Sequence, residues 1–529
     1  MMKKIYILGI IAFILAGCYE DKGNYDYKKV NDLVSITFTP EPTIAEYSYN
    51  YKYRQPALDT LKVTYSPVIT QSEVDGGSNL EYQWITWKTV NDETVYDTVF
   101  SKDLLLKYPP KKSTKYEPLF RVIDHSTGIE YYQKFSMKTE VPFVNSWFVL
   151  HGQPGDRKLA VVEGVNEVSE EPNIIYDVYE DAWGVRRYQG ATSLLYTMDG
   201  NDYSGICEFI VVIQPDSCSY MHAYDLVVRK GFESMIPNVT PRPRLAYGLS
   251  SEIPGTSSGI IVDQAGHFYW ARGYGWYYSV KTNEETKDYI VDKIFLARSS
   301  YVTVWDKVHK QFMYYALSQN PSIWDRPIER PVVKEDNQAA LTLFDKGVFK
   351  EDEWKNQDVL YMGQGNSDMS EEGVLIVARD TTNYTVYQIG FNGQGGNSFI
   401  EVVKTPALKM KLEENSQFAT SVAFKDQIFY TRNSAVYLYN LVSGEEIYLY
   451  DAGGPITKLQ FRMAREYDEG YGTVDANKRL AVVVNNPDGT GELHDVFLDA
   501  AGDIERTMIH TGFGPIQDII FSAPGVRHL

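Results

Sequence analysis

The sequence predicts an all-β chain in two parts: a small antiparallel sandwich over residues 30–142 and a β-propeller of about seven blades over 143–529. Three observations carry that prediction. Aromatic side chains make up 14% of the 529 residues, with 41 Tyr, 23 Phe and 9 Trp, and such side chains pack best on a pleated, half-buried surface. Short alternating segments broken by Gly, Pro and Asn run the whole length, without an apolar period of 3.6 residues. A strand-turn-strand unit also recurs near the end of the chain, which marks an architecture of stacked small sheets.

The chain opens MMKKIYILGIIAFILAGC: two lysines, an apolar run from Ile5 to Ala16, then Gly17 and Cys18. That run is too short to cross a hydrocarbon layer of about 30 Å as a helix, so residues 1–17 read as a signal peptide. Leu15-Ala16-Gly17-Cys18 resembles a bacterial lipoprotein box, which implies lipidation of Cys18 and removal of everything before it. Two or more acyl chains at about 0.8 kcal/mol per buried CH₂ hold stably, so the protein is expected to sit on a membrane without crossing it. Residues 18–29 form a polar tether, and Glu20 and Asp21 close behind Cys18 resemble the surface-export signal of Bacteroidota lipoproteins. That resemblance implies an outer-membrane protein facing outward. Cys207 and Cys218 remain; in an oxidising compartment they either pair or stay as two core thiols.

From Val30 to about Glu140, Leu33–Phe38, Leu61–Tyr65, Leu80–Trp84 and Phe135–Lys138 alternate in and out, with Gly76-Gly77, Pro109-Pro110 and Ser126-Thr127-Gly128 between them. The pattern predicts an immunoglobulin-like sandwich. Leu80–Trp84 followed by Tyr116–Asp124 resembles the PKD domains. The resemblance implies that Trp84 is core, that Asp124–Gly128 is a turn, and that Ile129–Met137 is the closing strand.

Beyond Val141 the hairpins lengthen. Val436-Tyr-Leu-Tyr-Asn440, Ser443-Gly444-Glu445 and Gly454-Pro455-Ile456 recur 60 positions later as Val496-Phe-Leu-Asp499, Ala501-Gly502-Asp503 and Gly514-Pro515-Ile516. Arg157–Val162 likewise echoes Lys478–Val483, and further hairpins are read at Gly259–Ala271, Val302–Tyr315, Val374–Phe391 and Ser421–Asn433. Four-stranded units of roughly 40–60 residues predict a propeller. Because an open ring would leave an unpaired sheet edge, Ile516–Phe521 is expected to complete the blade begun by Trp147–Leu150. Two consecutive sandwiches are the competing architecture.

The lipoprotein box, the Asp21–Asp26 tether, the Trp84 and Asp124 segments and Ser146-Trp-Phe-Val-Leu150 occur in one order. Together they resemble the PKD-like family lipoproteins of Bacteroidota. The resemblance covers about the first 165 residues and implies a cell-surface accessory to a SusC/SusD-type uptake system, a transporter partner, and no catalytic residues to carry over.

The formal charge is −19, or −21 once Lys3 and Lys4 leave with the signal peptide, and no basic run is present. Nucleic acid is excluded as a partner, since a phosphate backbone demands clustered cations. The eight histidines show no His-Glu-x-x-His spacing and no phosphate loop occurs, so neither cofactor nor metal is expected. Gly255-Thr-Ser257-Ser-Gly259 matches a nucleophile-elbow string but has Pro254 before it and a strand after it, the wrong context. Asn485–Glu492 reads as a hairpin turn, because it lacks the alternating oxygen ligands of a calcium loop.

One segment stands out. His267–Tyr278 holds seven aromatic residues in twelve, more than one face of a strand can bury. It reads either as packing between blades or as an exposed patch for sugar rings or peptide side chains, with Trp270, Arg272, Tyr274, Trp276 and Tyr278 as candidate ligand-binding residues. Tyr176–Tyr188, with Trp183, is a second candidate and reads as a loop; Trp324 is a third. A surface hydrolase with a carboxylate pair in a propeller funnel, and a purely structural transporter subunit, are the alternative functions.

Overall fold

The computed structural model describes residues 31–39, 47–48, 61–73, 79–90, 93–108, 115–116, 118–134, 137–140, 143, 146–163, 172–202, 205–223, 226–236, 239–250, 258–272, 275–297, 301–316, 340–344, 351–367, 370–381, 383–391, 399–406, 410–462 and 477–522. Cys18 and its tether, Ser257 and Trp324 lie outside them. The chain divides into two units, Met1–Tyr47 with Thr60–Thr139, and Ser48–Asp59 with Glu140–Leu529.

The first unit is an antiparallel sandwich. One sheet orders Glu93–Val99, Leu80–Val90, Leu119–Asp124 and Ile129–Lys134; a second orders Leu33–Thr39, Leu61–Gln71 and Leu104–Tyr108, and Met137–Glu140 pairs with Lys115–Tyr116 in a smaller third. Alternation puts Phe120, Val122 and Asp124 inward, where the Phe120 ring and the Val122 side chain join Tyr65, Ile69, Trp84 and Leu104. Trp84 lies 4.5 Å from Phe120 and its indole N–H donates to Lys102 O, so it is core. The Asp124 carboxylate accepts from Ser126 N and Oγ, and Gly128 turns the chain at φ +73, a left-handed conformation that favours glycine.

The second unit is a seven-bladed propeller. Six sheets take four consecutive strands each, with inner strands Ser193–Asp202, Leu245–Ser250, Val291–Ala297, Asp358–Ser367, Phe418–Ala419 and Ile456–Arg462; we number these blades 2 to 7. Blade 1 is composite. Its inner strand is Ile516–Ser522, and Ser146–His151, Lys158–Val162 and Ile174–Ile175 follow outward. Trp147 pairs with Phe521 and Val149 with Ile519, which is the expected closure.

The repeat read from sequence is the blade repeat. Ala435–Asn440 and Gly491–Leu498 are both third strands, and Gly444 and Gly502 sit in the following turns at φ +66 and +94. Two details differ. Lys158–Val162 is a third strand whereas Arg479–Asn485 is a second, so that echo relates apolar strands in unequal positions. The hairpin placed at Ser421–Asn433 is instead Gln427–Arg432 with Ala435–Asn440.

Candidate functional site

A cavity of about 290 Å³ lies on the propeller axis, and residues from the inner strands of all seven blades line it. The polar side chains on its described wall are Tyr196, Ser250, Tyr361, Thr420, Lys458, Gln460 and Asp518. The first and last are 518 − 196 = 322 positions apart in sequence, and only ring closure brings them to one axis.

Asp518 ties that axis together. Its carboxylate accepts from Ser193 Oγ at 2.7 Å and Leu194 N at 2.8 Å, both in blade 2, and pairs with the ammonium of Lys458 in blade 7. Ser193 Oγ in turn accepts from Gly248 N in blade 3. One hydrogen-bonded chain therefore links blades 7, 1, 2 and 3. Both carboxylate oxygens are committed, because Ile519 N also donates to Oδ1.

On the far wall, the Tyr361 and Phe418 rings stack at 5.5 Å and 23°, and the Tyr361 hydroxyl lies 3.1 Å from Thr420 Oγ1. Glycine makes that pose available: a Cβ at Gly363 would come within 1.9 Å of the Tyr361 hydroxyl. Phe418 is held by a row of aromatic residues, one on each strand of blade 6. Phe418 pairs with Tyr430, Tyr430 with Tyr437 and Tyr437 with Tyr448, at ring separations of 6.4, 5.8 and 5.7 Å. Direct cross-strand partners of this kind reinforce one another, so the cavity wall is braced out to the rim.

The residues singled out from sequence lie elsewhere. Trp270 is 1% exposed; it packs 5.7 Å from Tyr315 between blades 3 and 4, which corrects its assignment as an exposed platform. The physical reason is that a propeller blade has two buried faces. On strand Phe268–Arg272, Phe268 and Trp270 face blade 4 while Tyr269 and Ala271 face blade 2, so the cluster that overfilled one face fills two. Tyr277 is buried, and Tyr278 packs half-buried beside Trp270. Trp276 is half-buried, with the Lys230 ammonium 3.6 Å from its ring centre, so a cation of the same chain already covers it. Tyr274 and the Arg272 side chain fall outside the described residues.

Tyr176–Tyr188 is not a loop throughout. Val178–Trp183 is a helical turn, N-capped by Asp177 and ended by Gly184 at φ +68, and Trp183 packs against the core between blades 1 and 2. Burial pushes the Asp177 carboxyl up to about 6. Cys218 is a free, buried thiol whose S–H donates to Met235 Sδ at 3.3 Å. Its strand partner is Ile213, six residues along the strand from Cys207, or about 20 Å at roughly 3.3 Å per residue, far beyond the span of a disulfide. Of the two readings of this pair, the bridge is excluded.

One constellation that sequence reasoning missed has the outline of a proton relay. His494 stands between the Tyr450 hydroxyl at 2.7 Å and Glu492 at 2.9 Å, a phenol, an imidazole and an orienting carboxylate in line. Burial raises the Tyr450 phenol, and the Glu492 and Asp451 charges raise it further, so the arrangement holds the phenolic proton in place. It acts as a clamp between blades 6 and 7. Among the described residues, no three His, Cys, Asp or Glu side chains converge as a metal-ligating group, and Asp518 is the one acid on the cavity wall.

The PKD-like family matches residues 18–190, and no curated protein matches the sequence. Several solved structures are similar. A quinoprotein alcohol dehydrogenase-like protein from Bacteroides thetaiotaomicron is 12% identical over 88% of this chain and 95% of its own, with a TM-score of 0.41. The β-propeller domain of Cps50 (Swd1) from Myceliophteria thermophila is 9% identical over 70% and 89%, with a TM-score of 0.34. YCF48, solved bound to a D1 peptide, is 8% identical over 65% and 90%, with a TM-score of 0.36. These are similarities of sheet architecture and say nothing of activity. The chain thus combines a PKD-like domain with a β-propeller fold.

Proposed function

We propose that this chain is an outer-membrane lipoprotein, anchored through acylated Cys18 and facing the cell exterior. It serves as an accessory binding component of a SusC/SusD-type system that takes up glycans or peptides. The observation that carries binding over catalysis is the state of Asp518. Among the described residues, the one carboxylate on the axial cavity has both oxygens engaged in holding the ring closed, and the described wall offers aromatic rings, hydroxyls and an amide to a ligand. Pockets of that make-up bind by shape and a few placed polar groups. The anchor is supported by the Lys3-Lys4, apolar and Gly17-Cys18 series, and the family match begins at residue 18.

Labelling and protease treatment of intact cells, and purification from solubilised membranes, test the proposal. Labelled palmitate is incorporated into the parent chain and not into Cys18→Ala. External protease removes the protein without lysing the cell. Affinity purification recovers a SusC/SusD-type pair, and immobilised glycan or peptide polymer retains the complex. Absence of both transporter and polymer from the purified material would refute the accessory role; a transporter without polymer would reduce it to a structural one.

A further inference from the structure

We propose that the axial cavity is the ligand site of this propeller and that its ligand is a neutral saccharide of one or two rings. The inference deepens the binding role above and rests on it.

Four features point to that class. The cavity is small: about 290 Å³ lies at the lower edge of ligand pockets, roughly 300–1,000 Å³, so it takes a short unit or a chain end rather than a threaded polymer. Its charge is balanced, because Lys458 and Asp518 neutralise one another across the blade 7 and blade 1 strands. Among the described lining residues, an acidic sugar or a charged amino acid would meet no unpaired countercharge, and burying an uncompensated charge is costly. Its aromatic wall is flat and braced: Tyr361 lies nearly parallel to Phe418, and a ring face with a slightly negative π-cloud meets the C–H face of a pyranose. Finally, its polar groups are hydroxyls and an amide. Thr420 Oγ1 and the Tyr361 hydroxyl are within hydrogen-bond distance of each other, and Gln460, half-buried on the inner strand of blade 7, adds two donors and an acceptor. Alternating donors and acceptors beside a flat apolar face match the equatorial hydroxyls and axial C–H groups of a sugar ring.

The test uses the full chain in detergent, titrated by calorimetry with maltose, xylobiose, mannobiose and N,N′-diacetylchitobiose. Sialyllactose and neutral dipeptides serve as the contrasting classes. We expect at least one neutral saccharide to bind, and Tyr361→Ala to weaken it about tenfold or more, equivalent to about 1.4 kcal/mol. Tyr361→Phe keeps the ring and should stay within about threefold of the parent. Gly363→Ala keeps the identity of every cavity-lining residue but forces the Tyr361 phenol aside, so it should weaken binding as Tyr361→Ala does; it keeps the proposal testable if Tyr361→Ala fails to fold. Gln460→Ala should also weaken binding.

Neutral saccharide binding that is unchanged in Tyr361→Ala, Gly363→Ala and Gln460→Ala overturns the site. Binding of sialyllactose or of a dipeptide in place of every neutral saccharide overturns the ligand class. No binding of any probe, while the chain still co-purifies with a transporter, overturns the inference and leaves the accessory role standing. Loss of the transporter as well rejects both.

Discussion

Replacing Asp518 by Ala probes what holds the ring shut. Asp518 is buried and accepts hydrogen bonds from Ser193 Oγ, Leu194 N and Ile519 N, besides its pairing with Lys458. The substitution removes the charged acceptor of the Ser193 hydroxyl, whose remaining acceptor is Leu194 O at 3.4 Å, and of the Leu194 amide, and a hydrogen bond to a charged group contributes about 1.5–3 kcal/mol. The Lys458 side chain is 33% exposed, so the loss of its ion pair is screened and adds about 1 kcal/mol or less. Together the cost is about 4 kcal/mol. Unfolding entropy near 2.1 cal/mol/K per residue, over roughly 380 residues, comes to about 0.8 kcal/mol/K, so this cost lowers Tm by about 5 °C. Scanning calorimetry at one heating rate measures the shift, and hydrogen exchange locates it: amides of Ile516–Ser522 should lose protection before those of blades 4 and 5. Ser193→Ala, which removes one link, should cost less, and its effect should not add fully to that of Asp518→Ala because the two share a chain. A Tm indistinguishable from the parent, with unchanged protection of the closing strand, would refute the clasp.

Stability should fall as pH drops below about 6.5, the ordinary value for histidine. Burial holds His151 and His510 below that value; the unfolded chain binds protons that the folded chain excludes, so acid favours unfolding. Asp177, raised to about 6, acts with the opposite sign in the same window, so the slope of Tm against pH should steepen in Asp177→Asn and flatten in His510→Leu. His510→Leu should also be neutral or stabilising at pH 8, because it removes a buried Nε2 that has no hydrogen-bond partner. Gly491→Ala should cost about 1–3 kcal/mol, read as a lower urea midpoint at unchanged m, since its Cβ would meet Gly514 O at 2.4 Å, a backbone atom that cannot swing away. Burial pushes the Cys218 thiol up to about 12, so it should resist iodoacetamide in the native protein at pH 8 and react only once the chain is unfolded.

Much of the fold was legible because it is written locally. Gly444 and Gly502 occupy turns that need a positive φ, the Gly-Pro pairs at 454 and 514 mark the step from one blade to the next, and Ile516–Phe521 had no partner in sequence except the unclosed strand near Trp147. Trp84 and Asp124 kept their expected places for the same reason. What could not be read depends on closure. Each cavity side chain comes from a different blade or nearly so, and nothing in the text around Tyr361 or Gln460 shows that they share an axis. Of the two readings of the aromatic run around Trp270, packing between blades is the one the structure shows for that residue, because a strand in a sandwich has one dry side whereas a strand in a propeller has two. The Cys207 and Cys218 spacing fitted a bridge until the strand register placed Cys218 opposite Ile213.

Trp147 and its ladder partner Phe521 are 521 − 147 = 374 positions apart. At about 5–20 residues per second, ribosomes take roughly 20 to 75 s to produce the second after the first. Throughout that interval Ser146–His151, which ends up buried at every position, waits with one flank open, and an unpaired apolar strand is a template for unwanted pairing. The nascent polypeptide must therefore be shielded until its last sheet is translated. A lesion that halts synthesis before Ile516 would yield six finished blades and a sticky, incomplete seventh, so premature stops in the final few codons of this ladder should be as damaging as losses of whole blades upstream.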